Sequence, residues 1–196
     1  MKFTSAVVAI AATANAIDQY NSGAYYGSGY ERPVYKQSPV PKETTYAKCM
    51  MKDPEEEVLF GGAINFKQDP YGDTEVWGNL WGAKPGVHGF HVHTLGDLSG
   101  GCESLAGHYD PTMEMARGGL PLGDLNDAIA DANGDVHISQ SRTGLFLYGE
   151  DSIIGRSLVF HAVKDENGMG GADRVGCCVI GLTSGPVGYG YGGPAY

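Results

Sequence analysis

Between Thr45 and Thr183, apolar and polar residues alternate over short runs that turn residues interrupt. Ala47 to Met51, Val58 to Phe66, Glu75 to Trp81 and Val87 to His93 are rich in β-forming residues and separated by Pro, Gly and Asp. Asp127 to Ala130, Val136 to Ser139, Ser157 to Val163 and Cys178 to Leu182 follow. A period of two over runs this short is the mark of strands. Asn133-Gly134, between two of them, accepts the positive backbone angles of a tight hairpin turn. No window shows a helical stripe with caps. The pattern predicts an all-β domain, an eight-stranded antiparallel sandwich or barrel. Two intervals, residues 94–126 and 164–176, are too long for plain hairpins, and long loops on a β scaffold are where function concentrates.

The flanks have another texture. Residues 1–16 read as a secretory signal: Lys2 at the start, an apolar run from Ala6 to Ala12, and Ala14-Asn15-Ala16 as a small-residue cleavage pattern. Residues 17–44 and 184–196 hold eight of the twelve tyrosines among Gly, Ser and Pro, without aliphatic periodicity. Both are expected to be extended or disordered. Their functional alternative is a tether to cell wall or extracellular matrix through tyrosine stacking or oxidative cross-linking. The folded domain is expected over 45–183.

Composition narrows the picture. The 196 residues fit one domain, and 31 glycines with 10 prolines suit a turn-rich β fold. A net charge of −10 argues against nucleic acid or anionic lipid as the main partner. The apolar run near the start is too short to span a membrane. Export places Cys49, Cys102, Cys177 and Cys178 in an oxidising compartment, where an even count predicts two disulfides. Adjacent residues on a strand face opposite ways, so Cys177 and Cys178 need different partners, and two pairings remain open.

Candidate chemistry lies in the histidines. His91 and His93 flank Val92 in one strand, so both imidazoles project from one face while Phe90 and Val92 face a core. His108 lies in the first long loop and His161 ends the strand before the second. Four imidazoles could converge on one metal, and nitrogen-only ligation suits copper or zinc better than magnesium or calcium. His137 reads as a residue of a solvated strand face, and His88 as a hydrogen-bonding neighbour rather than a ligand.

Gly89-Phe90-His91-Val92-His93, Gly96-Asp97, Gly101-Cys102 and Gly107-His108-Tyr109-Asp110-Pro111 together resemble the Cu,Zn superoxide dismutase family. Gly123-Asp124-Leu125, Ile153-Ile154-Gly155-Arg156 running to His161, and Arg174-Val175-Gly176-Cys177 agree in order and approximate spacing. The resemblance implies an eight-stranded antiparallel Greek-key β-sandwich or barrel with two functional loops. It implies that His91, His93, His108 and His161 bind copper, and that Arg174 guides superoxide to it. It pairs Cys102 with Cys177, which leaves Cys49 with Cys178 to join the first and last strands.

Departures from the family are equally informative. Asp124 survives at the position of the zinc aspartate, but Arg117 and Pro121 stand where two zinc histidines would be. Neither is a zinc ligand, so zinc is not expected, although Asp110 or Glu114 could substitute. Only twelve residues separate His161 from Arg174. Missing ligands and a short loop resemble the copper-only secreted branch. That branch often places a glutamate beside the exposed bridging histidine. Pro121 occupies the matching position, which leaves Asp124 as the candidate to orient His108.

The expected protein is thus a secreted, copper-dependent superoxide dismutase that converts superoxide to oxygen and hydrogen peroxide. In it, Arg174 holds the anion and His108 detaches and becomes protonated. The alternative is a non-catalytic copper-binding wall or matrix protein on the same fold. A zinc hydrolase ranks last, because no carboxylate base is evident beside the cluster.

Overall fold

The computed structural model describes residues 41–53, 59–114, 118–164 and 173–185. The expected leader, nearly all of both tails and Arg117 lie outside the described residues. Ten strands form the body: β1 (Thr45–Lys52), β2 (Gly61–Gln68), β3 (Thr74–Trp81), β4 (Gly86–His88), β5 (Phe90–His93), β6 (Ala128–Ala130), β7 (Val136–Arg142), β8 (Ser157–His161), β9 (Arg174–Val179) and β10 (Gly181–Thr183). They make one antiparallel sheet in the order β4-β6-β7-β3-β2-β1-β9-β8-β5, with β10 also paired to β1. The two outermost strands, β4 and β5, are consecutive in the chain, so the sheet curls almost into a closed barrel.

The expected antiparallel β barrel stands, with ten strands among the described residues because two of the eight expected runs are each divided. The run from Val87 to His93 breaks at Gly89, where a Cβ would lie 2.7 Å from the His91 ring. β4 therefore pairs with β6 while β5 pairs with β8. The last run breaks at Ile180, which exchanges backbone hydrogen bonds with Gly155 and Arg156 instead of with a strand. Beyond it, β10 crosses to β1 with Lys48 opposite Gly181.

Alternation fills the interior. Ala47, Cys49 and Met51 of β1, Ile64 and Phe66 of β2, Val76 and Leu80 of β3, and Leu158 and Phe160 of β8 pack in one core with Phe90 and Val92. Full burial of each large side chain contributes about 1.5–3 kcal/mol. Disulfides join Cys49 to Cys178 and Cys102 to Cys177. One ties β1 to β9 and the other ties the first long loop to β9.

That long loop is pinned along β5 rather than left hanging. Tyr109 N donates to Val92 O at 2.8 Å, Val92 N to Gly123 O at 2.9 Å, and Gly123 N to Tyr109 O at 2.7 Å. Three backbones meet so closely that a Cβ on Gly123 would lie 2.4 Å from Val92 O. Only glycine fits there. Its helical content among the described residues is a single 3-10 turn, Glu103–Leu105.

Candidate metal centre

β5 and β8 run side by side with His91 opposite Val159 and Phe90 opposite Phe160. The outward residues of β5 are His91 and His93, and His161 closes β8. The pinned loop adds His108, whose backbone bridges to His93, as that of Asp124 bridges to His91. Outward here does not mean exposed. The loop covers the strand, leaving His91 4% accessible and His93 and His161 at 0%, and the His108 side chain at 2%.

Four imidazoles thus converge, each offering one nitrogen, all within 4.8 Å of one another. Ring centroids of His91 and His108 lie 4.1 Å apart, and Nε2 of His161 stands 3.4 Å from Nε2 of His93. Burial pushes the His91 imidazole down to about 2, with the other three histidines adding to the effect. His93 is pushed down to about 3, again chiefly by burial, and Arg174 contributes through its charge. Both rings are therefore neutral at physiological pH, the state in which imidazole ligates.

Two of the rings are held from behind. His93 Nδ1 donates to Ala106 O at 2.9 Å, which turns Nε2 inward. Asp124 Oδ1 accepts from His108 Nδ1 at 2.7 Å, which leaves Nε2 of that ring facing the cluster. His91 Nδ1 is buried and has no hydrogen-bond partner. An orphaned nitrogen inside three other imidazoles is costly unless a cation takes its lone pair, so the residues present fit a metal. No second group of three metal-binding side chains occurs among the described residues.

Arg174, first residue of β9, reaches over the first loop. Its Nη1 donates to Cys102 O at 2.6 Å and its Nη2 to Ala106 O at 2.7 Å. The Ala106 carbonyl therefore accepts from both the guanidinium and the His93 ring. Ala106 adopts φ 62°, ψ −153°, a region that is almost exclusively glycine territory. Sequence reasoning passed over this residue, whose methyl group says nothing about the work of its carbonyl.

Further supports are structural. His88 places Nδ1 2.8 Å from His161 O and Nε2 2.7 Å from Lys84 O, with its ring stacked on Phe160. Tyr109 donates to Asp151 O at 2.9 Å beneath the Arg156 guanidinium, which lies 4.0 Å from its ring centroid. Burial raises the Tyr109 phenol to about 12. His137 is remote from the cluster, on the open face of β7, with Nδ1 donating to Asn79 Oδ1 at 2.7 Å. Pro121 is buried, and its carbonyl accepts from Asp124 N at 3.0 Å. It thereby fixes the turn that carries Asp124.

An antiparallel barrel with four imidazoles gathered on one outer face, and an arginine held at their edge by two backbone carbonyls, fits a nitrogen-ligated metal centre. The comparison with known proteins makes the class specific. The profile of the copper/zinc superoxide dismutase family matches residues 60–180. The Cu-Zn superoxide dismutase 2 of Mesembryanthemum crystallinum is 38% identical over 139 residues, covering 63% of this chain and 88% of that protein. The Cu-Zn superoxide dismutase 3 of Arabidopsis thaliana is 38% identical over 139 residues, 63% of this chain and 84% of its own. An extracellular Cu-Zn superoxide dismutase of Brugia pahangi is 43% identical over 121 residues, 58% of each chain. The chain belongs to the copper/zinc superoxide dismutase family, and its enzyme class is that of an oxidoreductase of the superoxide dismutase type.

Proposed function

We propose that this chain is a secreted superoxide dismutase with copper as its sole metal, held by His91, His93, His108 and His161. The observation that carries the reading is the buried four-imidazole cluster with Arg174 anchored at its edge. Oriented by their hydrogen bonds, His93 and His108 would present Nε2 to the metal, and His91 would present its orphaned Nδ1. Copper in that position supplies a one-electron couple, through which one superoxide becomes oxygen and a second, with two protons, becomes hydrogen peroxide.

The chain's own groups do the rest. Arg174 keeps a permanent charge, and two backbone carbonyls fix its orientation, so it holds the anion without reorganising. His108 is the ring that can release and carry a proton at Nε2. The Asp124 carboxylate holds the opposite nitrogen and keeps that ring aimed at the cluster throughout. In this reading Asp124 replaces zinc as the orienting group. Pro121 offers no side-chain donor to zinc, and Arg117, at the other position where the family has a zinc histidine, stays cationic. Two disulfides and the leader-like start support secretion.

Metal analysis of the purified chain beside a superoxide assay tests the reading. One copper, no zinc and rapid dismutation are expected. Two metals per chain would overturn the copper-only assignment. Full copper without dismutation would favour the alternative of a copper-binding wall protein.

A further inference from the structure

The half of the barrel away from the histidines carries a second surface of unusual chemistry. Strands β1, β2, β3 and β7 lie in register, with Lys48 opposite Asn65, Asn65 opposite Trp77 and Trp77 opposite Ser139. By alternation, their outward side chains are Tyr46, Lys48, Met50 and Lys52, then Asn65 and Lys67, then Glu75, Trp77, Asn79 and Trp81, and finally His137, Ser139 and Ser141. The inward set is the core described above. Both tryptophans of the chain thus stand on one open face.

Trp81 is 53% exposed, and its indole lies against Gly61, whose Cβ would be 3.4 Å from Cζ2. A flat ring resting on glycine backbone presents its other face to solvent. Trp77 lies four residues away on the same strand face, about 13 Å at roughly 3.3 Å per residue. Around it, Tyr46, Lys48, Asn65, Thr183 and Gly185 shape a shallow recess. That recess is a dent of about 20 Å³, far below the ~300 Å³ at which pockets begin to enclose a small molecule. A ligand here is held from one side only. Two indoles so far apart suit successive units of an extended polymer, not one compact molecule.

Charge selects the polymer. The chain carries −10 overall, yet among the described residues this face sets Lys48, Lys52 and Lys67 against Glu75 and, at the end of β2, Asp69. Lys67 is spoken for by Asp69 at 3.1 Å and Glu75 at 3.2 Å. Lys48 and Lys52 have no acidic partner among the described residues. Aromatic platforms, amides and hydroxyls next to ammonium groups without an acidic partner among the described residues match the apolar ring faces, hydroxyls and carboxylates of an acidic sugar chain. We infer that the outer face of β1, β2, β3 and β7 binds a uronate-bearing polysaccharide, with Trp77 and Trp81 as stacking platforms and Lys48 as a carboxylate contact.

The test uses the copper-loaded full chain and soluble polygalacturonate, measured by affinity electrophoresis and calorimetry. Binding should weaken but persist as salt rises, because stacking is not screened. Trp81→Ala and Lys48→Glu should each weaken it at least tenfold, and Trp81→Phe should retain most of it. Copper content and dismutation should be unchanged in all three, since none touches the histidine cluster, and this also reports correct folding. No retention by polygalacturonate, or equal retention of wild type and Trp81→Ala, overturns the inference. So does equal binding to a neutral glucan, a single-stranded oligonucleotide or a phosphatidylserine vesicle. A self-association that Trp81→Ala abolishes, without polysaccharide binding, assigns the face to a second copy instead.

Discussion

Removing the Cys49–Cys178 bridge, as Cys49→Ala with Cys178→Ala, separates stability from activity in this fold. The bridge closes a sequence separation of 129 residues. Taken alone, constraint of an unfolded loop that long is worth about 5 kcal/mol. The second bridge, Cys102–Cys177, shortens the route. With it intact, the unfolded chain passes from Cys49 to Cys102 and across to Cys177, a loop of about 54 residues, and the value falls to about 4 kcal/mol. For a domain of this size that is a drop of roughly 8–16 °C in Tm. Guanidinium unfolding should show the loss, together with a steeper m-value, because an uncross-linked chain exposes more surface. Dismutase activity at 25 °C should stay at the wild-type level, since neither cysteine touches a residue of the site. Removing Cys102–Cys177 should cost about as much stability but also lower activity, because the Cys102 carbonyl receives the Arg174 guanidinium. A Cys49/Cys178 variant within ~1 kcal/mol of wild type, with the other bridge verified by mass, would refute the loop argument. Equal activity losses in the two variants would refute the assignment of Cys102 to the Arg174 support.

Arg174→Ala should keep its copper and lose at least about tenfold in rate, with a flatter dependence on ionic strength; a rate equal to wild type refutes its role as anion guide. Ala106→Gly relieves a residue at φ 62°. It should raise stability by about 1–3 kcal/mol without loss of activity, read from thermal unfolding; a destabilised variant would show that the conformation is not strained. The copper-free protein should lose stability as pH falls. His91 and His93 stay neutral in the fold down to about 2 and 3, while in the unfolded chain both accept protons near 6.5. Their contribution is therefore complete above pH 6.5 and lost below it. Urea midpoints measured from pH 7 to 4 should decline with a slope approaching two protons, and His91→Gln should reduce that slope by about one. A flat profile would mean that the rings are protonated in the fold.

Much of the site could be read from the chain because strand geometry converts spacing into direction. His91 and His93 bracket a core valine, and a period of two alone puts their rings on one side. The β-rich runs and the Asn133-Gly134 turn likewise follow from local propensity. Other features depend on contacts between distant segments and were not legible. Gly89 divides one run because its backbone bonds to Val163 and His161, and Ile180 divides another because it bonds to Gly155 and Arg156. Ala106 serves two donors through its backbone, which no side-chain pattern reveals. The grouping of Trp77 with Tyr46 needed the register of β1, β2 and β3, and register is a property of pairing, not of any one strand. Asp124 was visible as a leftover ligand, whereas its bond to His108 required Gly123 to bring two loop segments against β5.

Net charge and substrate charge stand in apparent conflict, and the layout of the molecule resolves it. Within residues 45–183, nine basic residues face twenty acidic ones, so an approaching anion meets a repulsive average field. That average matters only beyond the screening length, about 8–10 Å at physiological salt. Inside that distance, the proposed reading gives the anion's approach to the Arg174 guanidinium, held by the carbonyls of Cys102 and Ala106 at the rim of the cluster. His108 is held by a carboxylate whose charge that ring partly spends, since Asp124 Oδ1 lies 2.7 Å from Nδ1. A local cation of fixed direction does not need a basic protein around it. On the two proposed readings, anion binding concentrates at two places, the arginine beside the histidines and the lysines of β1.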